Sequence, residues 1–135
     1  MISYKKREKY KYNLHKDFSY QCTGIEAEGE ITVEKEDERE KETKPLVTLE
    51  ISGKLTIRKG YAWDGATCTP DSATIMTGSL VHDVLYQLMR EEKIDFDQRL
   101  RADQLLREIC LEAGMSPAYA WWVFWGVRLF GACYA

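Results

Sequence analysis

The residues best able to do chemistry in this chain lie on one short stretch, Gly78-Ser79-Leu80-Val81-His82-Asp83-Val84-Leu85-Tyr86-Gln87-Leu88-Met89-Arg90. Wound as an α-helix, it puts Ser79, His82, Asp83, Tyr86, Gln87 and Arg90 on one stripe, with Leu80, Val81, Val84, Leu85, Leu88 and Met89 on the other side. A base, a carboxylate and a phenol then share a face. His82 is one of only two histidines, and hydrolysis of an acyl or phosphoryl bond needs little more than a positioned imidazole, a carboxylate and a held water. The plain alternative is that this stripe is the wet face of an ordinary amphipathic helix.

A catalytic imidazole needs an orienting acid, and Asp103 sits beside Ala102 on the rim of the apolar stripe of the next predicted helix. If the two helices pack antiparallel across the short connection Glu91 to Ile94, the Asp103 carboxylate accepts a hydrogen bond from one nitrogen of His82. That fixes the tautomer and leaves the other nitrogen facing a water. Asp83 points elsewhere and is free to bind a cation. With Asp64 and the carbonyls of the loop around Trp63-Asp64-Gly65, it makes a candidate calcium site, since hard ions take oxygen ligands. Tyr86, one turn after His82, supports the arrangement, and the metal stabilises the oxyanion. Each part also has a duller reading. Asp83 can tie the Asp64 loop to the helix, Asp103 can pair with Arg99 or Arg107 on its own helix, and Arg128 can be a counter-ion for Asp64 or Asp83. His15 reads as a surface or cross-strand residue.

Three helices are expected to position these groups. The first begins at Ser72 or Ser79, with Gly78 leaving the start open. The second opens on the capping box Asp95-x-x-Gln98, carries Ala102, Leu105, Leu106, Ile109, Cys110 and Ala113 on one stripe, and stops at Gly114. The third opens at Ser116-Pro117 and runs through Trp121, Trp122, Phe124, Trp125, Val127, Arg128, Leu129 and Phe130. Apolar all round except for Arg128, it predicts a buried core helix, with an interfacial or partner-facing helix as the second reading. A membrane span is disfavoured, because the stretch is barely long enough and has its charge well inside.

Ahead of the helices the apolar period is two. Tyr10 to Cys22 reads as a strand or hairpin, and Ile25, Ala27, Ile31 and Val33 alternate with Glu26, Glu28, Glu30, Thr32 and Glu34. The charged segment 34–44 reads as a solvated loop or hairpin tip. Alternation resumes at Val47, Leu49, Ile51, Leu55 and Ile57, and a turn near Ser52-Gly53 splits that run into a hairpin. Gly60 to Pro70 is a shaped loop leaving the sheet. The expectation is an α+β chain forming a single domain over 1–135: an antiparallel meander over 10–63 with one solvated face, then helices over 72–131.

The totals bound the function. With 135 residues, 44% hydrophobic, 30% charged and a net charge of −3, the chain reads as one soluble domain whose balance argues against phosphate-backbone binding to nucleic acid. The basic run Lys5-Lys6-Arg7-Glu8-Lys9 reads as a solvated terminus. Cys22, Cys68, Cys110 and Cys133 have neither zinc-ligand nor disulfide-framework spacing, and the first residues lack the apolar core of a signal peptide, so a reduced, cytoplasmic protein is expected.

Several of these residues carry a resemblance. Gly60-Tyr61 with Asp64, Ala66-Thr67 and Pro70, then His82-Asp83-Val84-Leu85-Tyr86, Ala102-Asp103 and Val127-Arg128-Leu129-Phe130-Gly131, resemble a domain-of-unknown-function family common in tailed phages and prophages. The resemblance covers roughly Leu55 to Cys133 and implies a phage or prophage origin, with action in the host cytoplasm or on the virion, and no established activity. The charged N-terminal insertion looks peculiar to this chain, and Gly65 follows the loop Asp. His82-Asp83 with Tyr86 and a later Asp103 is also similar, more weakly, to the secreted calcium-dependent phospholipases. That likeness implies His82 as general base, Asp83 as calcium ligand and Asp103 as the orienting acid, although that family's flanking half-cystines and full glycine-rich calcium loop are missing. Two functions follow as expectations. One is a His-Asp hydrolase acting on an ester-type bond, with calcium as its candidate cofactor. The other is a non-catalytic phage accessory protein that meets a phage or host protein through 34–44 or the Trp-rich C-terminus.

Overall fold

The computed structural model describes residues 4–6, 12–27, 29–37, 42–63 and 73–130. It divides into two compact units, Ile2–Ala62 and Trp63–Ala135, and the chain is α+β.

The first unit is built from strands. A three-stranded sheet has the order β1-β2-β7, from β1 (Tyr4–Lys6), β2 (Tyr12–Leu14) and β7 (Ala62–Trp63). The start of the basic run, Lys5-Lys6, is thus strand, antiparallel to β2. The second sheet has the order β3-β6-β5-β4, from β3 (Phe18–Gln21), β4 (Ile31–Asp37), β5 (Glu42–Leu49) and β6 (Lys54–Ile57), all pairs antiparallel. The two runs within Tyr10 to Cys22 therefore join different sheets rather than each other. Strand β3 returns beside β6, a Greek-key arrangement wrapped around the expected meander.

Period two does what it must in the central hairpin. Val47 faces Ile57 and Leu49 faces Leu55, and all four are buried, while Thr48 and Thr56 between them stay half-buried. Ile25 is buried but lies outside a strand, so β4 begins only at Ile31. Backbone pairing continues through the charged segment, from Glu34 opposite Pro45 to Asp37 opposite Glu42, past a register shift at Val33/Glu34. The segment is two strand ends, and only residues 38–41 at its tip lie outside the description.

The hairpin turns where Gly53 adopts φ 90°, and a Cβ there would stand 2.8 Å from the Cys22 carbonyl oxygen. Left-handed backbone and close approach both demand glycine. Gly53→Ala is expected to cost about 2 kcal/mol, read as a lowered urea midpoint with an unchanged slope.

The second unit is three helices: α1 (Met76–Arg90), α2 (Arg99–Glu112, preceded by a 3-10 turn at Phe96–Gln98) and α3 (Pro117–Phe130). Sequence punctuation sets the later boundaries. The Asp95 side chain accepts from Asp97 N at 3.1 Å, Gly114 takes φ 100° after α2, and Ser116 Oγ accepts from Tyr119 N at 3.3 Å. Gly78 does not open α1 but lies inside it, where a Cβ would stand 2.9 Å from Leu106 Cδ1 and 3.2 Å from the Leu106 carbonyl. The contacts of Gly78 with Leu106 and Cys110, and of His82 with Asp103, show that α1 and α2 run antiparallel. Ile75, Leu106, Cys110, Met115, Ala120, Val123 and Val127 form a core between helices.

Burial reverses two expectations. Every residue of α1 except Arg90 is buried or half-buried, so its polar stripe is not a wet face. Conversely α3, expected to be buried all round, exposes Trp121, Trp122, Trp125 and Leu129. No helix among the described residues is long and apolar enough to cross a membrane.

Candidate functional site

A buried polar stripe has to find partners, and in the helical unit it finds them on α2 and α3. His82 Nε2 lies 2.6 Å from Asp103 Oδ1, and Tyr86, one turn on, donates its hydroxyl to the same oxygen at 2.6 Å. The His82 and Tyr86 rings lie 4.1 Å apart between centroids with their planes tilted by 38°. Arg128, reaching in from α3, donates from Nη1 to Asp103 Oδ2 at 2.9 Å. Asp103, on α2, is wholly buried, and its carboxylate gathers donors from both other helices, two from α1 and one from α3.

Arg99 completes the network. Its Nε donates to the Tyr86 hydroxyl at 3.1 Å, and its Nη2 donates to the carbonyls of Val127 and Arg128 at 3.0 and 2.8 Å. Those carbonyls belong to the last turn of α3, which has no intrahelical donors for them. Farther up α1, Trp63 Nε1 donates to Ser79 Oγ at 3.2 Å while Ser79 donates to the Met76 carbonyl at 2.9 Å.

The electrostatics follow from this wiring. Burial alone would raise the Asp103 pKa, but hydrogen bonds from His82 and Tyr86 and the guanidinium of Arg128 outweigh it and hold the carboxyl below its ordinary value of 3.8. Burial, then the bond to an anion, pushes the Tyr86 hydroxyl well above its ordinary range, so it stays a donor. An ionised Asp103 only accepts, so the hydrogen sits on His82 Nε2. In the neutral ring the lone pair then belongs to Nδ1, which has no hydrogen-bond partner among the described residues. Such a nitrogen can take a proton from water.

A family profile described as a protein of unknown function, DUF1353, matches residues 44–127, more than half of the chain. The chain belongs to this family. The DUF1353 match spans β5 to α3, taking in His82, Tyr86, Arg99 and Asp103, and ends one residue before Arg128. No curated protein and no solved structure matches the chain.

In this DUF1353 chain the structure brings His82, Tyr86, Asp103 and Arg128 together. Among the described residues the acid that Arg128 meets is Asp103 rather than Asp83, because α3 runs back along α2 and delivers its last turn to the first turns of that helix. Asp103 is not spent on Arg107, whose guanidinium lies over the Trp121 ring, and Arg99 Nε stands 3.9 Å from Asp103 Oδ2 while committing its hydrogen bonds elsewhere. Asp83 is half-buried and has an interaction partner, while Asp64 and the rest of its loop lie outside the described residues. No group of three or more His, Cys, Asp or Glu that could hold a metal occurs among the described residues, and the calcium site expected at Asp83 and Asp64 lies partly outside them. His15 is exposed just past β2.

The Arg99–Asp103 pairing expected from their i, i+4 spacing is present at 3.9 Å, but two roles leave little trace in the sequence. The bonds of Arg99 to Tyr86 and to the end of α3 join residues far apart in the chain. Gly78 was read only as a doubtful start, although glycine inside an apolar helix signals close packing. Of the cysteines, Cys22 and Cys110 are buried and outside any disulfide, and burial pushes the Cys110 thiol up to about 12, so it is no nucleophile near neutrality.

Proposed function

We propose that this DUF1353 protein is a phage-type hydrolase, acting in the host cytoplasm or on the virion, that cleaves an ester-type bond with a water activated at His82. The observation carrying the reading is the 2.6 Å bond between His82 Nε2 and the wholly buried, ionised Asp103. It supports a dyad in which the acid is fixed before the substrate arrives. The Nδ1 lone pair takes a proton from water as the water oxygen bonds to the ester carbonyl carbon and the C=O electron pair moves onto oxygen. Collapse of that intermediate breaks the carbon–alkoxide bond, and the departing alkoxide takes the proton back from Nδ1. Tyr86 and Arg128 hold Asp103 ionised, and Asp103 holds the ring. The division of labour among His82, Tyr86 and Asp103 is similar to that of the secreted calcium-dependent phospholipases, and it extends to Asp83 a proposed calcium contact.

The test is turnover of a nitrophenyl ester and of phospholipid esters by the purified chain, with and without calcium. His82→Ala is expected to lower kcat by roughly 10²–10⁴-fold while the circular dichroism stays unchanged. Asp83→Asn is expected to remove whatever part of the rate calcium adds. Turnover that a folded His82→Ala variant retains in full overturns the reading.

A second reading is favoured by one observation, the 6% exposure of His82. On it, the chain is a non-catalytic phage accessory protein that meets a phage or host protein, and the dyad is a tie between helices. Absence of turnover together with a stability loss in His82→Ala is the outcome this reading expects.

A further inference from the structure

Helix α3 has one face that the fold does not use. Trp121, Trp122, Trp125 and Leu129 recur at one, four and seven or eight residues along it, so they form a single stripe, and they are 46%, 67%, 55% and 70% exposed. Exposed tryptophans in such a row mark a contact surface, since single exposed apolar residues are ordinary and contiguous ones are not.

Charge identifies the occupant. Helix α3 contains no acidic residue, and the stripe has an arginine beside each end. Arg107 lies 4.2 Å over the Trp121 ring with its Nε buried, and no carboxylate among the described residues pairs with its guanidinium. Arg128, next to Leu129, is 27% exposed. On a chain of net charge −3 this is a local aromatic and cationic surface. Size argues against a second copy. The stripe offers on the order of 500 Å² of apolar area, short of the ~800 Å² per partner of a stable interface. Length argues against insertion, because no described helix can cross a bilayer. A helix lying in the plane of a membrane, with Trp and Leu in the headgroup boundary and arginine at its edge, meets all of these constraints.

We infer that the Trp121-Trp122-Trp125-Leu129 face of α3 docks on the surface of an anionic lipid bilayer, with Arg107 contacting headgroup phosphate. This stands on exposure and charge, independently of whether His82 catalyses anything. The experiment is flotation and tryptophan fluorescence of the full chain with vesicles of phosphatidylglycerol mixed into phosphatidylcholine, and with phosphatidylcholine alone. Binding to the anionic vesicles with a blue-shifted emission, weakened by salt, is expected. Trp122→Ser with Trp125→Ser, checked for folding by circular dichroism, is expected to lower the partition coefficient at least about tenfold, and Arg107→Gln to lower it severalfold on anionic vesicles only. Absence of binding, equal binding to both vesicles, or binding untouched by the paired substitution overturns the proposal. So does self-association in sedimentation that the same pair abolishes.

Discussion

Replacing Asp103 by Asn is expected to destabilise the helical unit by about 3 kcal/mol at pH 7, more than any change on the protein's surface. The side chain is wholly buried and accepts from His82, Tyr86 and Arg128, so the neutral amide leaves Arg128 without its counter-charge and sets an NH2 group against donors. Losing one member of a buried ion pair costs roughly 3–5 kcal/mol, and the 27% exposure of Arg128 places this case at the lower end because water recovers part of the loss. The pH dependence has a definite sign. The folded-state pKa of Asp103 is depressed, so its stabilisation is fully present above the unfolded value, near 3.8, and is lost as pH falls through the lower folded value. Urea titrations from pH 7 into the acid range check both parts. The wild-type and Asp103→Asn curves are expected to converge below the ordinary carboxylate pKa, because acid removes from the wild type the charge that the variant never had.

The second large effect is expected at Gly78. A methyl group there meets Leu106 Cδ1 at 2.9 Å, Cys110 Sγ at 3.1 Å and the Leu106 carbonyl oxygen at 3.2 Å. The leucine terminus can turn away, but the carbonyl is part of α2 and cannot. Gly78→Ala gains roughly 1 kcal/mol of helix propensity and still loses on balance, because α1 and α2 must separate by a few tenths of an ångström. Gly78→Val adds two methyls to the same gap and is expected to cost about 3 kcal/mol. His82 is one turn along from Gly78, so the separation also stretches the bond to Asp103. Chemical denaturation measures the first consequence, and the Nε2 proton resonance of His82 reports the second. Adding Leu106→Val to Gly78→Ala is expected to recover part of the loss, which a mere propensity effect would not permit.

What the sequence disclosed and what it hid follow one physical division. Local periodicity and punctuation are properties of neighbouring residues, so the hairpin from Val47 to Ile57, the turn at Gly53, the Asp95 and Ser116 starts and the Gly114 stop were legible. The approach of Asp103 to His82 was legible as well, because a short helical connection forces antiparallel packing and places a rim residue opposite the preceding helix. Burial was not. The amphipathic pattern of α1 implied a wet side and the uniform apolarity of α3 implied an interior, and both inferences assume that a helix faces its own partners according to hydrophobicity alone. In the fold the polar side of α1 is covered because it is satisfied: Asp103 and Arg99 arrive from elsewhere to bond it, and Arg128 bonds Asp103 in turn. The apolar excess of α3 is then left outside, since one helix can press only one side against α2. The return of β3 to the far edge of its sheet was hidden for the same reason, because pairing partners distant in the chain leave no local trace.

The grip of Arg99 on the last carbonyls of α3 has a dynamic consequence. A helix terminus ordinarily frays at almost no cost, but here opening the final turn would strip two acceptors from a guanidinium and withdraw Arg128 from the buried carboxylate. Amide exchange near Arg128 should therefore be as slow as exchange around Asp103 and Tyr86, with one opening event releasing all three.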